Sequence, residues 1–130
     1  MIQEPFVNYI NIDLYHKNFV SGTKWSVNKI TYKISKYPRD LAASKVDSEI
    51  EKAFKVWSDN SGLIFEKTTL DKVKIDIQFA KGEHGDGDPF DGPGGTLAHA
   101  FFPMYGGDAH FDDTEEWSIN SYRGELSWFI

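Results

Sequence analysis

The sequence predicts an α+β domain: a mixed, twisted sheet of five strands with one amphipathic helix packed on a face. Three observations carry this prediction. Two stretches alternate apolar and polar residues; a third spaces its apolar residues by four, four and three; and the elements run strand, helix, strand, strand, long loop, strand, strand. At 130 residues without an internal repeat, the chain is sized for one domain.

The first strand is "KITYKIS" (29–35), in which Ile30, Tyr32 and Ile34 oppose Thr31, Lys33 and Ser35. The helix is "SKVDSEIEKAFKVWSDNSG" (44–62), with Val46, Ile50, Phe54 and Trp57 as its core stripe. Ser44 is the expected cap at its start, and Gly62 the expected end of the segment. "LIFEKT" (63–68) and "VKIDIQFA" (73–80) supply two more strands; in the second, Val73, Ile75, Ile77 and Phe79 share a face. Past a glycine-rich loop, "TLAHAFF" and "DAHFDD" are short strands separated by "PMYGG". Residues 1–23 show no clean period and read as a leader. Residues 121–130 form an apolar tail ending in "ELSWFI".

Composition narrows the function. An apolar share of 40% with 10 Phe, 6 Tyr and 4 Trp suits a packed core rather than disorder. A net charge of −6 argues against nucleic acid as a partner, which would require a basic face. The lack of cysteine excludes disulfides, thiolate zinc sites and cysteine catalysis. No stretch approaches the roughly 18 apolar residues of a membrane span, and "MIQEPFVNYINIDLY" has neither the basic start nor the apolar core expected of a signal peptide. Nothing in the sequence assigns an oligomeric state.

Charge is unevenly spread. Up to Lys81 there are 13 Lys or Arg against 10 Asp or Glu; from Gly82 onward there are 10 acids and a single base, Arg123. The densest part is "EHGDGDPFDGPGG" (83–95), where Glu83, Asp86, Asp88 and Asp91 repel one another among five glycines and two prolines. Without Lys or Arg between Gly82 and Tyr122, the segment cannot neutralise itself by internal salt bridges, which points to solvent screening or to bound cations.

Three of the four histidines lie in this segment, whereas His16 stands alone. His84 and Asp86 are two apart, so on extended backbone they point the same way. His99 and His110 come from the two following strands, beside small alanines. Three imidazoles and one carboxylate fill a tetrahedral zinc without an open position, the pattern of a closed structural site. The remaining carboxylates suit calcium, which takes six to eight hard oxygens including backbone carbonyls. "DGPGGT" offers Asp91 and exposed glycine carbonyls, Asp112 and Glu115 can close the shell, and Asp108 beside Gly106 and Gly107 suggests a second oxygen site.

At this point the chain resembles the catalytic domain of the matrix metalloproteinases, zinc endopeptidases of the metzincin type. "KAFKVWSD", "GEHGDGDPFDGPGGTLAHAF" and "GGDAHFDD" follow that family's order, and Lys24-Trp25 and Glu115-Glu116-Trp117 fit as well; the resemblance spans about 24–120. It implies a metzincin-like N-terminal subdomain, with His84, Asp86, His99 and His110 as structural zinc ligands. It places Asp91, Gly92, Gly94, Thr96, Asp112 and Glu115 at the principal calcium site, Thr96 through its carbonyl. It makes "TLAHAFF" the cleft's edge strand, where a peptide substrate would pair near Leu97 and Ala98. It further implies an extracellular setting and peptide or extracellular-matrix protein substrates.

Two departures accompany the resemblance. Gly106 and Asp108 fall at the family's second calcium site, yet the turn before them is about two residues shorter and Lys74 stands where an aspartate is common. More decisively, the family hydrolyses peptides with His-Glu-x-x-His on a helix, and no histidine follows His110. The chain ends about where that helix would begin, and Glu125 has no ligand partners, so a truncated product is expected. Neither a catalytic zinc nor activity of the chain alone is expected; the alternative reading is a non-catalytic peptide- or matrix-binding module.

Overall fold

A computed structural model of the chain describes residues 24–119 and 128–129. The leader with His16, and the tail apart from 128–129, lie outside these residues. The elements are β1 (Lys29–Lys36), α1 (Ala43–Asn60), β2 (Ile64–Lys67), β3 (Ile75–Ala80), β4 (Ala98–Ala100) and β5 (Ala109–Asp112). A 3-10 turn, Pro103–Tyr105, lies between β4 and β5. The expected five-stranded mixed sheet forms with order β2-β1-β3-β5-β4, every pair parallel except β4 with β5. Short strands β6 (Trp117–Ser118) and β7 (Trp128–Phe129) form a separate parallel pair.

Alternation along β1 buries Ile30, Tyr32 and Ile34 as predicted, and Ile77 and Phe79 of β3 join them. Helix α1 lays Val46 and Ile50 on this face, and Phe54 stacks on Phe65 with centroids 4.4 Å apart. Trp117 closes the core edge-on against Phe79 and Phe111. Its backbone N–H donates to Asp40, and its indole N–H donates to the Asp112 carbonyl. The core therefore fixes the strand end that carries the acidic cluster.

Three sequence expectations about α1 need correction. The N-cap is Ala42, without a side-chain bond, and Ser44 lies inside the first turn. The helix ends at Asn60 with Ser61 as C-cap, whose hydroxyl donates to the Trp57 carbonyl, so Gly62 lies beyond it. Trp57 is not core but 66% exposed. Helical spacing fixes which face points inward, not how far the sheet reaches beneath it; the stacked rings of Phe54 and Phe65 complete the packing one turn earlier.

Candidate metal centre

Antiparallel pairing of β4 with β5 sets His99 directly opposite His110. The third imidazole comes from the loop after β3, which the Phe90 N–H closes by donating to the Gly82 carbonyl. The same carbonyl lies 2.8 Å from His84 Nδ1. A carbonyl only accepts, so Nδ1 carries the proton and His84 Nε2 points inward as a bare lone pair in the neutral ring. His99 Nδ1 faces Asp88 Oδ2 at 3.7 Å, which likewise turns its Nε2 inward.

Four atoms converge: His84 Nε2, His99 Nε2, His110 Nδ1 and Asp86 Oδ2. The nitrogens stand 3.1–3.3 Å from one another, and the Asp86 oxygen lies 2.8–2.9 Å from each. These are the six edges of one compact tetrahedron. A tetrahedron whose corners sit about 2.0 Å from its centre has edges of about 3.3 Å, close to this set. Hydrogen bonding cannot explain it, because one oxygen would serve three crowded rings while their nitrogens face each other. A dication at the centre gives every lone pair a partner, so the residues fit zinc.

The surroundings support that reading. Burial raises the Asp86 pKa, but the Asp88 N–H, the His99 and His110 contacts and the nearby His84 outweigh it and hold the carboxyl well below its usual range. Burial lowers the pKa of His110 against the pull of Asp86, with His99 and His84 adding to the lowering, so the ring favours its neutral, ligating form. Phe90, 6% exposed, stacks on both His84 and His99 at 4.8 Å and restrains the two rings.

The predicted calcium ligands come from the glycine loop and the turn after β5. Asp91 accepts from the Thr96 N–H, and a Cβ at Gly95 would stand 2.3 Å from Asp91 Oδ2, so the carboxylate folds back over a residue that must be glycine. Glu115, 5% exposed, accepts from the Gly94 N–H and so joins the two segments. Asp112 is 0% exposed; Oδ1 accepts from Thr114, while Oδ2 is buried without a hydrogen-bond partner among the described residues. An orphaned buried carboxylate oxygen is costly unless a cation meets it, so the donors fit a hard ion. Gly92 and Gly94 take positive φ in this loop.

The second candidate pair is arranged differently. Asp108 Oδ1 accepts from the Asp76 N–H at 2.9 Å, and Gly106 sits beside Asp108 with its own N–H on the Pro103 carbonyl. Three lysines and three aspartates line the adjoining cavity, which does not favour a dication. Along the edge, β4 begins at Ala98; Leu97 precedes it and accepts the Asp112 N–H through its carbonyl. Among the described residues β4 pairs only with β5 and leaves its other edge open.

Sequence reasoning missed Phe90, whose signal was its position as the one large apolar side chain in a polar loop. It also missed the Gly82 carbonyl, which leaves no side-chain trace. Asp113 escaped as well: it is 9% exposed, accepts from the Arg39 N–H and faces Lys81 at 3.5 Å.

Fold and donor cluster together fit a domain with one tetrahedral metal site. The family model described as Matrixin matches residues 24–128, and the chain belongs to that family. Interstitial collagenase of Equus caballus is 50% identical over 99 residues, 75% of this chain and 21% of that protein. Stromelysin-1 of Mus musculus is 51% identical over 102 residues, 77% of this chain and 21% of its own length. Macrophage metalloelastase of Oryctolagus cuniculus is 48% identical over 115 residues, 86% of this chain and 25% of its own. The chain thus spans about a fifth to a quarter of these relatives. Among the described residues, no helix is long and apolar enough to cross a membrane.

Proposed function

We propose that the chain is the zinc- and calcium-holding N-terminal part of an extracellular matrixin endopeptidase, with residues 24–120 as its folded unit. His84, Asp86, His99 and His110 hold a structural zinc. Asp91, Asp112 and Glu115 hold a calcium, together with the carbonyls of Gly92, Gly94 and Thr96. The single observation behind this reading is the tetrahedron of donor atoms with six edges of 2.8–3.3 Å.

Bound there, zinc supplies a cross-link rather than a reactive water, because protein atoms occupy all four positions. The chain's residues do the rest. Gly82 orients His84, Phe90 restrains two of the rings, and Glu115 ties the glycine loop to the β5 end. A peptide would add to the open edge of β4 near Leu97 and Ala98, with its backbone as the recognised feature. Outside the zinc set the only imidazole is His16, so the chain alone carries no hydrolytic apparatus. Proteolysis belongs to a longer matrixin containing this unit, and the names collagenase and metalloelastase among the relatives favour matrix proteins as its substrates.

Elemental analysis of folded, dialysed protein tests the assignment. One zinc per chain is expected, lost in His110→Ala, with no cleavage of a quenched fluorescent peptide. Folded protein without zinc would end the reading, and chelator-sensitive cleavage would end the claim of inactivity. The free edge of β4 also favours a second reading, a non-catalytic peptide-binding module. Saturable shifts of the Leu97 and Ala98 amide resonances on adding a collagen-like peptide would distinguish it.

A further inference from the structure

Two acidic clusters flank the β4–β5 unit, and they are balanced in opposite ways. The first holds Asp91, Asp112 and Glu115 in a stretch without Lys or Arg, with one buried carboxylate oxygen unmatched. The second surrounds a cavity of about 480 Å3 at the other end of β5, lined by Asp71, Asp76, Asp108, Lys33, Lys72 and Lys74. Here carboxylates and ammonium groups are equal in number.

The contacts in this second cluster are already internal. Lys33 Nζ lies 3.6 Å from Asp76 Oδ2 and donates to the Asp71 carbonyl at 3.1 Å. The Asp76 backbone N–H donates to Asp108 Oδ1, so the residue before β5 is clamped to β3 directly. Gly107 presses against the residue before β3 closely enough that a Cβ would lie 2.9 Å from the Lys74 carbonyl and 2.4 Å from the Trp25 ring. At φ +79 only glycine takes this position easily. The turn is held to the β3 segment by one carboxylate–amide bond and an indole lid, while the Lys33–Asp76 ion pair joins β1 to β3 beside it.

We propose that the lysine ammonium groups lining this cavity, with Lys33 paired to Asp76, replace a divalent ion in this cluster, so that the β4–β5 turn is held without calcium. A dication entering the cavity would meet three lysines as well as three aspartates, one of those lysines already paired, and Asp108 would have to give up its bond to Asp76. In the first cluster the same ion meets only carboxylates and carbonyls. The two ends of β5 therefore differ in calcium demand, a distinction that goes beyond the principal calcium site proposed above.

Calorimetric titration of the zinc-loaded chain with calcium tests this. Asp108→Asn keeps the acceptor for the Asp76 N–H while removing the charge, and it is expected to bind the same number of calcium ions as the unmodified chain, within twofold in affinity. Lys74→Asp, which turns a neutral cavity into one of net charge −2, is expected to bind one calcium more. Loss of one calcium in Asp108→Asn, or no gain in Lys74→Asp, would overturn the proposal. Asp112→Asn reads the principal site separately: an unchanged calcium count in that variant would sink the principal assignment alone.

Discussion

His110 combines near-complete burial with a ring nitrogen, Nε2, that has no partner among the described residues. Its proton affinity is reduced first by burial, so the unfolded chain takes up a proton there more readily than the folded one. Stability must then rise with pH across the imidazole range and fall on acidification below about 6.5. The depressed carboxyl of Asp86 adds a further loss below about 3.9, since the folded form resists protonation there too. For chelated protein, the urea midpoint is expected to be lower at pH 5.5 than at pH 7.5, and His110→Gln is expected to shrink that difference. At this scale the site was largely legible: imidazole and carboxylate are ligand types wherever they occur, and the two-residue step from His84 to Asp86 is local. Phe90 stood out as the large apolar residue of a polar loop, but its stacking on two rings was not legible, because His99 comes from a distant segment.

At the scale of elements, α1 shows where periodicity stops being informative. Val46 and Ile50 are buried as their spacing requires, and Ile50→Ala is expected to cost about 2–5 kcal/mol through lost packing and a residual cavity. Trp57, on the same stripe, is exposed, so Trp57→Ala should stay within about 0.5 kcal/mol. Urea denaturation of both variants checks the contrast, and equal losses would mean that something covers the indole in solution. The strands were readable because alternation and turn residues are local signals. The 3-10 turn at Pro103–Tyr105 and the pairing of β6 with β7 depend on where the chain returns, which no local signal records. Nor could helical spacing alone show that the packing ends at Phe54.

Across the whole molecule, the charge imbalance between the two halves becomes a statement about cooperativity. The half up to Lys81 contributes β1, α1, β2 and β3 and most of the apolar core; the half beyond contributes the acidic loop, β4, β5 and Trp117. The second half is anchored to the first by β3–β5 pairing and by bonds from Arg39 and Asp40 to Asp113, Thr114 and Trp117. Removing metal should therefore loosen the acidic half while the helix and first strands persist. Limited proteolysis is expected to cut first between residues 83 and 95 once a chelator is added, and protection there equal to that of α1 would contradict this. The mixed topology was legible in the order of elements, but the strand order was not, because three parallel pairings join segments far apart in sequence.

Strand β4 is three residues long, and among the described residues it sits at the border of the sheet with a single neighbour whose facing residue is also a donor atom's host. With a zinc held as proposed, its alignment would lean on the ion as much as on its own ladder. Without that ion the border would fray and offer unsatisfied amides to a second molecule, so a zinc held as proposed would guard against clumping as well as brace the sheet.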